Sequence, residues 1–139
     1  MILGIGMDLC PLGRMAQALT NGRFAERVFT EGERFYCRQR SEPTQHFAAR
    51  FAAKEATLKA LGVPSGLRWQ EMEVVSGASG APRLVLRGAA AAAATVLGVT
   101  KLHLSLTHTI DTAAAVVIAE GAASPAAAVP TEPPTPTGG

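Results

Sequence analysis

The first residues of the chain alternate in a way that is typical of a β-strand. Along "ILGIGMDLC", one face carries Leu3, Ile5, Met7 and Leu9, and the other carries Ile2, Gly4, Gly6 and Asp8. The two glycines leave space beside Asp8, so a ligand or another stretch of backbone can approach this face closely. A single aspartate at a strand end is also a common turn or cap residue. Asp8 by itself therefore does not define a site.

A helical pattern covers residues 43–62, with Pro43 at its start and Gly62 at its end. At 100° per residue, one arc holds Phe47, Phe51, Leu58 and Leu61 around Lys54, and the opposite side holds Ala48, Ala49, Ala52, Ala53, Ala56 and Ala60. Glu55 and Lys59 lie one turn apart, between the two sides. A helix that carries apolar or small residues on nearly every side is expected to be buried. Its charged side chains either extend to a surface or line a site, and the pattern leaves both open.

The rest of the chain completes an α+β pattern. Residues 12–40 are predicted to be helical, with Thr30 and Glu33 as a capping box inside that stretch. Two β-hairpins are predicted, one from "EMEVVSG" and "PRLVLRG" and one from "KLHLSLTH" and "TAAAVVIAE". The alanine run "AAAAAATVLG" between them is predicted to be a helix. The predicted fold is a small, mainly antiparallel sheet packed on the long buried helix.

The composition of the chain predicts its domain organisation. Of 139 residues, 47% are apolar and 17% are charged, which predicts one domain with a sizeable core over residues 1–121. Residues 122–139 are rich in Ala, Pro and Thr and are expected to be a disordered tail. The chain shows neither a signal-peptide pattern nor an apolar run that could span a bilayer. We therefore expect a cytoplasmic protein that does not act at a membrane.

The charge indicates which classes of partner the chain could bind, and the cysteine content indicates its redox compartment. A net charge of +2 is too small to indicate nucleic-acid binding. Residues 1–60 nevertheless hold nine Lys/Arg against six Asp/Glu. This excess would suit an acidic partner or phosphates, but a solvated helix face would show it equally. Cys10 and Cys37 lack metal-type spacing and indicate a reducing compartment rather than a disulfide framework.

Two carboxylates and one histidine are the candidates for chemistry. A buried Glu55 needs a cation. Lys59 at i+4 could provide one, and so could a magnesium ion shared with Asp8, because magnesium favours hard oxygen ligands. His108 ends its strand on the leucine face, where it is either structural or a contact for a phosphate or hydroxyl. His46 is expected to be an ordinary surface residue.

Five stretches taken together resemble one family. They are "GIGMDLCPLGR" at 4–14, "RFAERVFTEGE" at 23–33, "RFAAKEATLKALG" at 50–62, "GAPRLVL" at 80–86 and "SLTHTIDTAAAVVIAE" at 105–120. In this order they are similar to the holo-acyl-carrier-protein synthases, the short phosphopantetheinyl transferases. The resemblance implies the 4′-phosphopantetheinyl transferase fold, usually as a homotrimer with active sites between subunits. It also implies magnesium-dependent transfer of the phosphopantetheine arm of coenzyme A to a serine of apo-acyl carrier protein.

The resemblance also implies roles for individual residues. Asp8 and Glu55 match the magnesium ligands, and Lys59 matches the lysine beside the coenzyme A pyrophosphate. For this reaction we expect Glu55 to take the serine proton. Arg50, Lys54 and His108 match positions around the coenzyme A phosphates. Gly62, Gly80 and Pro82 match positions in the loops that enclose the adenosine. Arg14, and less firmly Arg23, match residues that dock the acidic carrier protein.

One position departs from the family pattern. Four residues after His108 the family often has an aromatic residue, and this chain has Thr112. Three other readings stay open beside the enzyme. They are an inactive relative that only binds carrier proteins or nucleotides, a dinucleotide enzyme suggested by "GIG", and a structural trimer packed through the alanine face. The missing third glycine and the hairpin-rich second half count against the dinucleotide enzyme. A structural trimer leaves Lys54 among phenylalanines unexplained.

Overall fold

The computed structural model describes residues 1–122, so the predicted tail lies almost entirely outside the described residues. The elements in chain order are β1 (Ile2–Pro11), α1 (Leu12–Leu19), α2 (Gly22–Val28), α3 (Glu31–Arg38), α4 (Pro43–Ala60), a 3-10 turn (Trp69–Glu71), β2 (Met72–Ser76), β3 (Pro82–Leu86), α5 (Gly88–Leu97), β4 (Val99–His108) and β5 (Thr112–Gly121). In this part of the chain, no helix combines the length and the apolar character needed to cross a membrane. The predicted α+β class, the long helix, the alanine helix and both hairpins are confirmed.

The strands form two separate antiparallel units. The main sheet has the order β1-β5-β4, while β2 and β3 pair only with each other. In the main sheet Asp8 lies opposite Ala115 and His108 lies opposite Ala113, so both side chains are on the face that carries the buried alanines of β5. This inner face is the one that receives α4.

Helix α4 lies against the inner face with almost no side-chain volume between the two backbones. Its alanines are buried, and Ala52, Ala53 and Ala56 are fully covered. A Cβ atom added at Gly4 would overlap the carbonyl oxygen of Ala60, and one added at Gly6 would overlap that of Ala56. The space that the sequence predicted beside Asp8 is therefore filled by a helix backbone.

Residues 12–40 are helical as predicted and form three short helices. The breaks coincide with residues that cap the next helix. Asn21 accepts a hydrogen bond from the Arg23 amide at 3.0 Å, and Thr30 and Glu33 form the predicted capping box at the start of α3. Capping side chains compete with continued helix, so each one starts a new element.

The outer face of β1 is apolar and open. Ile5, Met7 and Leu9 are each about 60% exposed. Their partners across the ladder include Val116 and Ile118 of β5, which are half-buried. We call the outward side chains of Ile5, Met7 and Leu9 the apolar stripe of β1. A contiguous apolar surface of this kind commonly marks a protein–protein interface.

Candidate active site

Asp8, Glu55 and Lys59 meet where α4 crosses β1, and we call them the carboxylate site. Lys59 Nζ donates to Asp8 Oδ1 at 3.1 Å and to the carbonyl oxygen of Met7 at 3.0 Å. The sequence left Glu55 open as the partner of Lys59, one turn away. The structure pairs Lys59 with Asp8 instead, because the close approach at Gly6 brings the strand within reach of the lysine.

The electrostatics of Glu55 distinguish it from an ordinary surface carboxylate. Burial raises the pKa of Glu55, the neighbouring charge of Asp8 raises it further, and Lys59 and Arg14 lower it. Two neighbouring carboxylates repel when both are ionised, and a divalent cation relieves that repulsion.

The residues of the carboxylate site fit a hard divalent cation. Asp8 and Glu55 both offer carboxylate oxygens, which are the ligands that magnesium prefers. Among residues 1–122, no group of three or more His, Cys, Asp or Glu side chains could hold a metal ion. Asp8 and Glu55 alone would leave coordination positions for water and for oxygens of a substrate, as is common at magnesium sites that bind phosphates.

Lys54 is buried within the core, away from the position that the family resemblance implied. Its ammonium group is fully buried and donates to Glu33 Oε1 at 2.7 Å, to the carbonyl oxygen of Trp69 at 3.1 Å and to that of Met72 at 2.5 Å. Burial lowers the pKa of Lys54, and the ion pair with Glu33 works against that shift. The expectation that Lys54 reaches the coenzyme A phosphates does not agree with this position, because its three N–H donors are already used inside the protein.

A cleft of about 320 Å³ lies beside α4, between β4 and the β2–β3 hairpin. Its lining includes Tyr36, His46, Arg50, Ser76, Gly80, Pro82 and His108. Gly80 has a φ of +83°, which glycine adopts without strain, and its amide donates to the carbonyl oxygen of Gly77 at 2.9 Å. The structure thus brings Arg50, His108, Gly80 and Pro82 together, as the family resemblance implied. We call this pocket the cationic cleft.

The positive charge of the cationic cleft is gathered around Tyr36. The guanidinium carbons of Arg40 and Arg50 each lie 4.1 Å from the centroid of the Tyr36 ring. Arg50 is only 4% exposed, and its Nε is a buried nitrogen without a hydrogen-bond partner among the described residues. A guanidinium held on an aromatic face with an unused donor is well suited to bind an anion.

His46 belongs to this group, so the expectation of an ordinary surface histidine is wrong. Its ring packs edge-on against Tyr36, with ring centroids 5.9 Å apart. Burial lowers the pKa of His46, and the nearby positive charges of Arg50, Arg40 and His108 lower it further. Sequence patterns did not indicate that Tyr36, Arg40 and His46 come together, because their convergence depends on how α3 packs against α4.

The carboxylate site and the cationic cleft lie on opposite sides of α4. The helix packs over β1 and β5, with Asp8 on β1, whereas His108 lies on β4, at the far side of β5. Neighbouring strands are about 4.8 Å apart, so β1 and β4 are separated by about 10 Å. Asp8 and Glu55 are not part of the cleft lining. Gly62 follows the end of α4, its amide donating to the Lys59 carbonyl oxygen at 3.1 Å, and it is not part of that lining either.

The two arginines predicted to dock a partner are both exposed. Arg14, on α1, is close enough to lower the pKa of Glu55 and so lies beside the carboxylate site. Arg23, on α2, lies at a different groove that is also lined by Phe24, Phe51 and Trp69. Thr112, the departure from the family pattern, closes the β4–β5 turn, where its amide donates to Thr109 Oγ1 at 3.2 Å.

A family model described as the 4′-phosphopantetheinyl transferase superfamily matches residues 4–117. The chain belongs to this superfamily. The match includes Asp8, Glu55 and His108, and therefore both the carboxylate site and the cationic cleft. The resemblance inferred from the sequence is confirmed, and the protein is a phosphopantetheinyl transferase.

Individual relatives of this transferase agree with that assignment. The chain is 49% identical to a holo-[acyl-carrier-protein] synthase of Anaeromyxobacter sp. (strain K) over 126 residues, covering 87% of this chain and 98% of the relative. Its fold is similar to that of a holo-[acyl-carrier-protein] synthase from Neisseria meningitidis, with a TM-score of 0.77 and 32% identity, covering 86% of this chain and 99% of the other. A Bacillus anthracis holo-(acyl-carrier-protein) synthase in complex with CoA (3′,5′-ADP) has a TM-score of 0.72 and 34% identity, with 88% of this chain and 99% of that chain covered.

Proposed function

We propose that this transferase moves the 4′-phosphopantetheine group of coenzyme A to a serine hydroxyl of apo-acyl carrier protein. The observation that carries the proposal is the pair of oppositely charged sites on α4, with Asp8 and Glu55 on one side and Arg50 and His108 on the other. Coenzyme A carries a pyrophosphate, which suits a magnesium site, and a 3′-phosphate, which suits a cationic cleft. Both the relatives named above and the coenzyme A complex of one of them support this choice of substrates.

The proposed reaction is a displacement at phosphorus. The serine oxygen bonds to the phosphorus that carries pantetheine, the P–O bond inside the pyrophosphate breaks, and adenosine 3′,5′-bisphosphate leaves. Such transfers depend mainly on positioning and on neutralising the charge of phosphate oxygens. Asp8 and Glu55 would hold Mg²⁺, which when bound supplies positive charge at the pyrophosphate. Glu55 is also the candidate base that takes the serine proton.

Other residues would bind and orient the two substrates. Lys59, half-exposed beside Asp8, would offset charge on the leaving group. Arg50 and His108 would bind phosphates in the cationic cleft, where Gly80 and Pro82 form a wall, and Gly62 would contribute a loop beyond α4. Arg14 and Arg23 present exposed positive charge to an acidic carrier protein. We expect the reaction to take place in the cytoplasm.

Mass spectrometry of the carrier protein tests the proposed function. With apo-acyl carrier protein, coenzyme A and Mg²⁺, we expect the carrier to gain the mass of one phosphopantetheine group. Chelation of Mg²⁺ with EDTA should abolish the gain, and added Mg²⁺ should restore it. A carrier that stays unmodified, while a known transferase modifies the same preparation, would refute the proposal and leave a binding module that does not turn over.

We also propose that the active site is completed between subunits of a homotrimer. On one chain, α4 separates the carboxylate site from the cationic cleft, so a second copy could bring its cleft to these carboxylates. The apolar stripe of β1 supplies an uncovered surface suited to such an assembly.

Subunit mixing tests this arrangement. Chains with Glu55→Gln and chains with Arg50→Met should each be nearly inactive alone, because every interface lacks one half of the site. After equimolar co-expression, about a quarter of the interfaces in a ring should join two intact halves and recover activity. Light scattering should give the mass of a trimer. Mixed preparations as inactive as either variant alone would contradict a shared site.

A further inference from the structure

We propose that the buried Lys54–Glu33 ion pair is a positioning device for the cationic cleft. It fixes the distance between α4, which carries Arg50, and the β2–β3 hairpin, which carries the cleft wall at Ser76, Gly80 and Pro82. Neither Lys54 nor Glu33 lines the cleft. The inference rests on the proposed function, since it concerns the affinity of the cleft for coenzyme A.

Lys54 connects α4 to the segment that leads into the hairpin. Of its three N–H donors, one goes to Glu33 and the other two go to the carbonyl oxygens of Trp69 and Met72. Trp69 belongs to the 3-10 turn and Met72 is the first residue of β2. The lysine is therefore hydrogen-bonded to the backbone at the point where the hairpin begins.

Glu33 extends the connection to α3 and to the body of β2. Its Oε1 accepts from the Thr30 amide at 3.0 Å as well as from Lys54, and its Oε2 accepts from the Val74 amide at 3.0 Å. Glu33 is 1% exposed and Lys54 is 0% exposed. A single buried pair thus joins the start of α3, the middle of α4 and strand β2.

The hairpin needs such a connection because it is not part of the main sheet. Among the described strands, β2 and β3 pair only with each other, so no backbone ladder sets their position relative to α4. Met72 and Val74 are buried and hold the hairpin to the core. Apolar contact is non-directional, whereas hydrogen bonds fix distance and angle. The bonds to Lys54 and Glu33 therefore add a fixed orientation to the cleft wall, beside the hydrogen bond from Thr30 Oγ1 to Glu73 of β2.

Stability alone does not account for the pair. An apolar pair of similar volume is often as stable as a buried ion pair, or more so. A positional role and a merely stabilising role consequently predict different outcomes when the charge is removed. Positioning predicts that a folded variant still binds coenzyme A poorly. Stabilisation predicts that every folded variant binds it normally.

Affinity and kinetics on Lys54→Met and Glu33→Gln test the inference. Methionine matches the length of the lysine chain without its donors, and glutamine keeps the capping bond to Thr30. For both folded variants we expect the KM and the calorimetric Kd for coenzyme A to rise between about tenfold and 100-fold, as for small misplacements of binding groups. The KM for carrier protein and the kcat at saturation should change far less. The matched control is Arg87→Met. Arg87 is an exposed residue just after the hairpin that pairs at 3.0 Å with the largely buried Glu73 of β2, and its loss should leave both constants unchanged.

Hydrogen exchange on the unaltered protein gives a second test that does not depend on any variant folding. The Val74 amide should exchange as slowly as the amides in the middle of α4, and the two should respond together to urea. Rapid independent opening of β2 would overturn the inference, as would a folded Lys54→Met protein with wild-type affinity for coenzyme A. If the unaltered protein fails to bind coenzyme A at all, the proposed function fails instead. The two failures are thereby distinguished.

Discussion

Glu55→Gln is expected to reduce the turnover of phosphopantetheine transfer by about 10²–10⁴-fold, the range associated with losing a general acid or base. Glutamine keeps the shape of the side chain but removes both the negative charge and the ability to take a proton. Burial and the charge of Asp8 raise the pKa of Glu55, so Glu55 is better suited than a solvated carboxylate to accept the serine proton.

The dependence on Mg²⁺ separates the two roles of Glu55. If Glu55 holds the ion, the variant should need a higher Mg²⁺ concentration for half-maximal rate. If it serves only as the base, turnover should fall at unchanged Mg²⁺ dependence. Glu120→Gln, which alters an exposed carboxylate paired with His103 at 3.1 Å, is the matched control and should retain wild-type turnover. Full turnover of Glu55→Gln at saturating Mg²⁺ would exclude both roles.

Gly6→Ala should destabilise the fold severely and abolish activity. The added methyl group would overlap the carbonyl oxygen of Ala56, which is backbone and cannot rotate away. Overpacking commonly costs 1–3 kcal/mol, and a clash with backbone should reach about 3 kcal/mol or more. Any shift of α4 that relieves the clash also moves Glu55, the residue before Ala56, away from Asp8.

Gly13→Ala is the control for this substitution. Gly13 lies in α1, and a Cβ atom there meets nothing within 4 Å. Alanine should leave the free energy of unfolding unchanged or raise it by at most about 1 kcal/mol. Urea denaturation of the three proteins measures the difference. A Gly6→Ala protein with wild-type stability would show that α4 and β1 are not in backbone contact.

Local patterns predicted the elements of the fold but not all of their contacts. The alternation in β1 and the alanines of α4 were sufficient to predict a strand and a buried helix that approach each other closely. The capping box at Thr30 was also confirmed. The helical character of residues 12–40 was confirmed as well, but the break at Asn21 was not predicted, since one capping asparagine is a weak signal within a helical pattern.

The candidate site was only partly predictable for the same reason. Asp8, Glu55 and Lys59 come together because a strand and a helix pack directly on each other, which the sequence indicated. Lys54 was misassigned because its partner Glu33 lies 21 residues earlier, on another helix. A helical wheel shows that a lysine points into the core, but it does not show which carboxylate or carbonyl groups accept its hydrogen bonds there.

If the apolar stripe of β1 is the interface of the proposed assembly, catalysis by this transferase depends on its own concentration. Under the proposed assembly, a dilute chain holds both halves of the machinery yet has no complete site, while Ile5, Met7 and Leu9 remain in water. Mass action then sets a threshold below which specific activity falls on dilution. Newly made chains below that threshold would be inactive and would expose an edge strand prone to wrong pairing. Assembly would therefore protect the strand and switch on the enzyme in the same event.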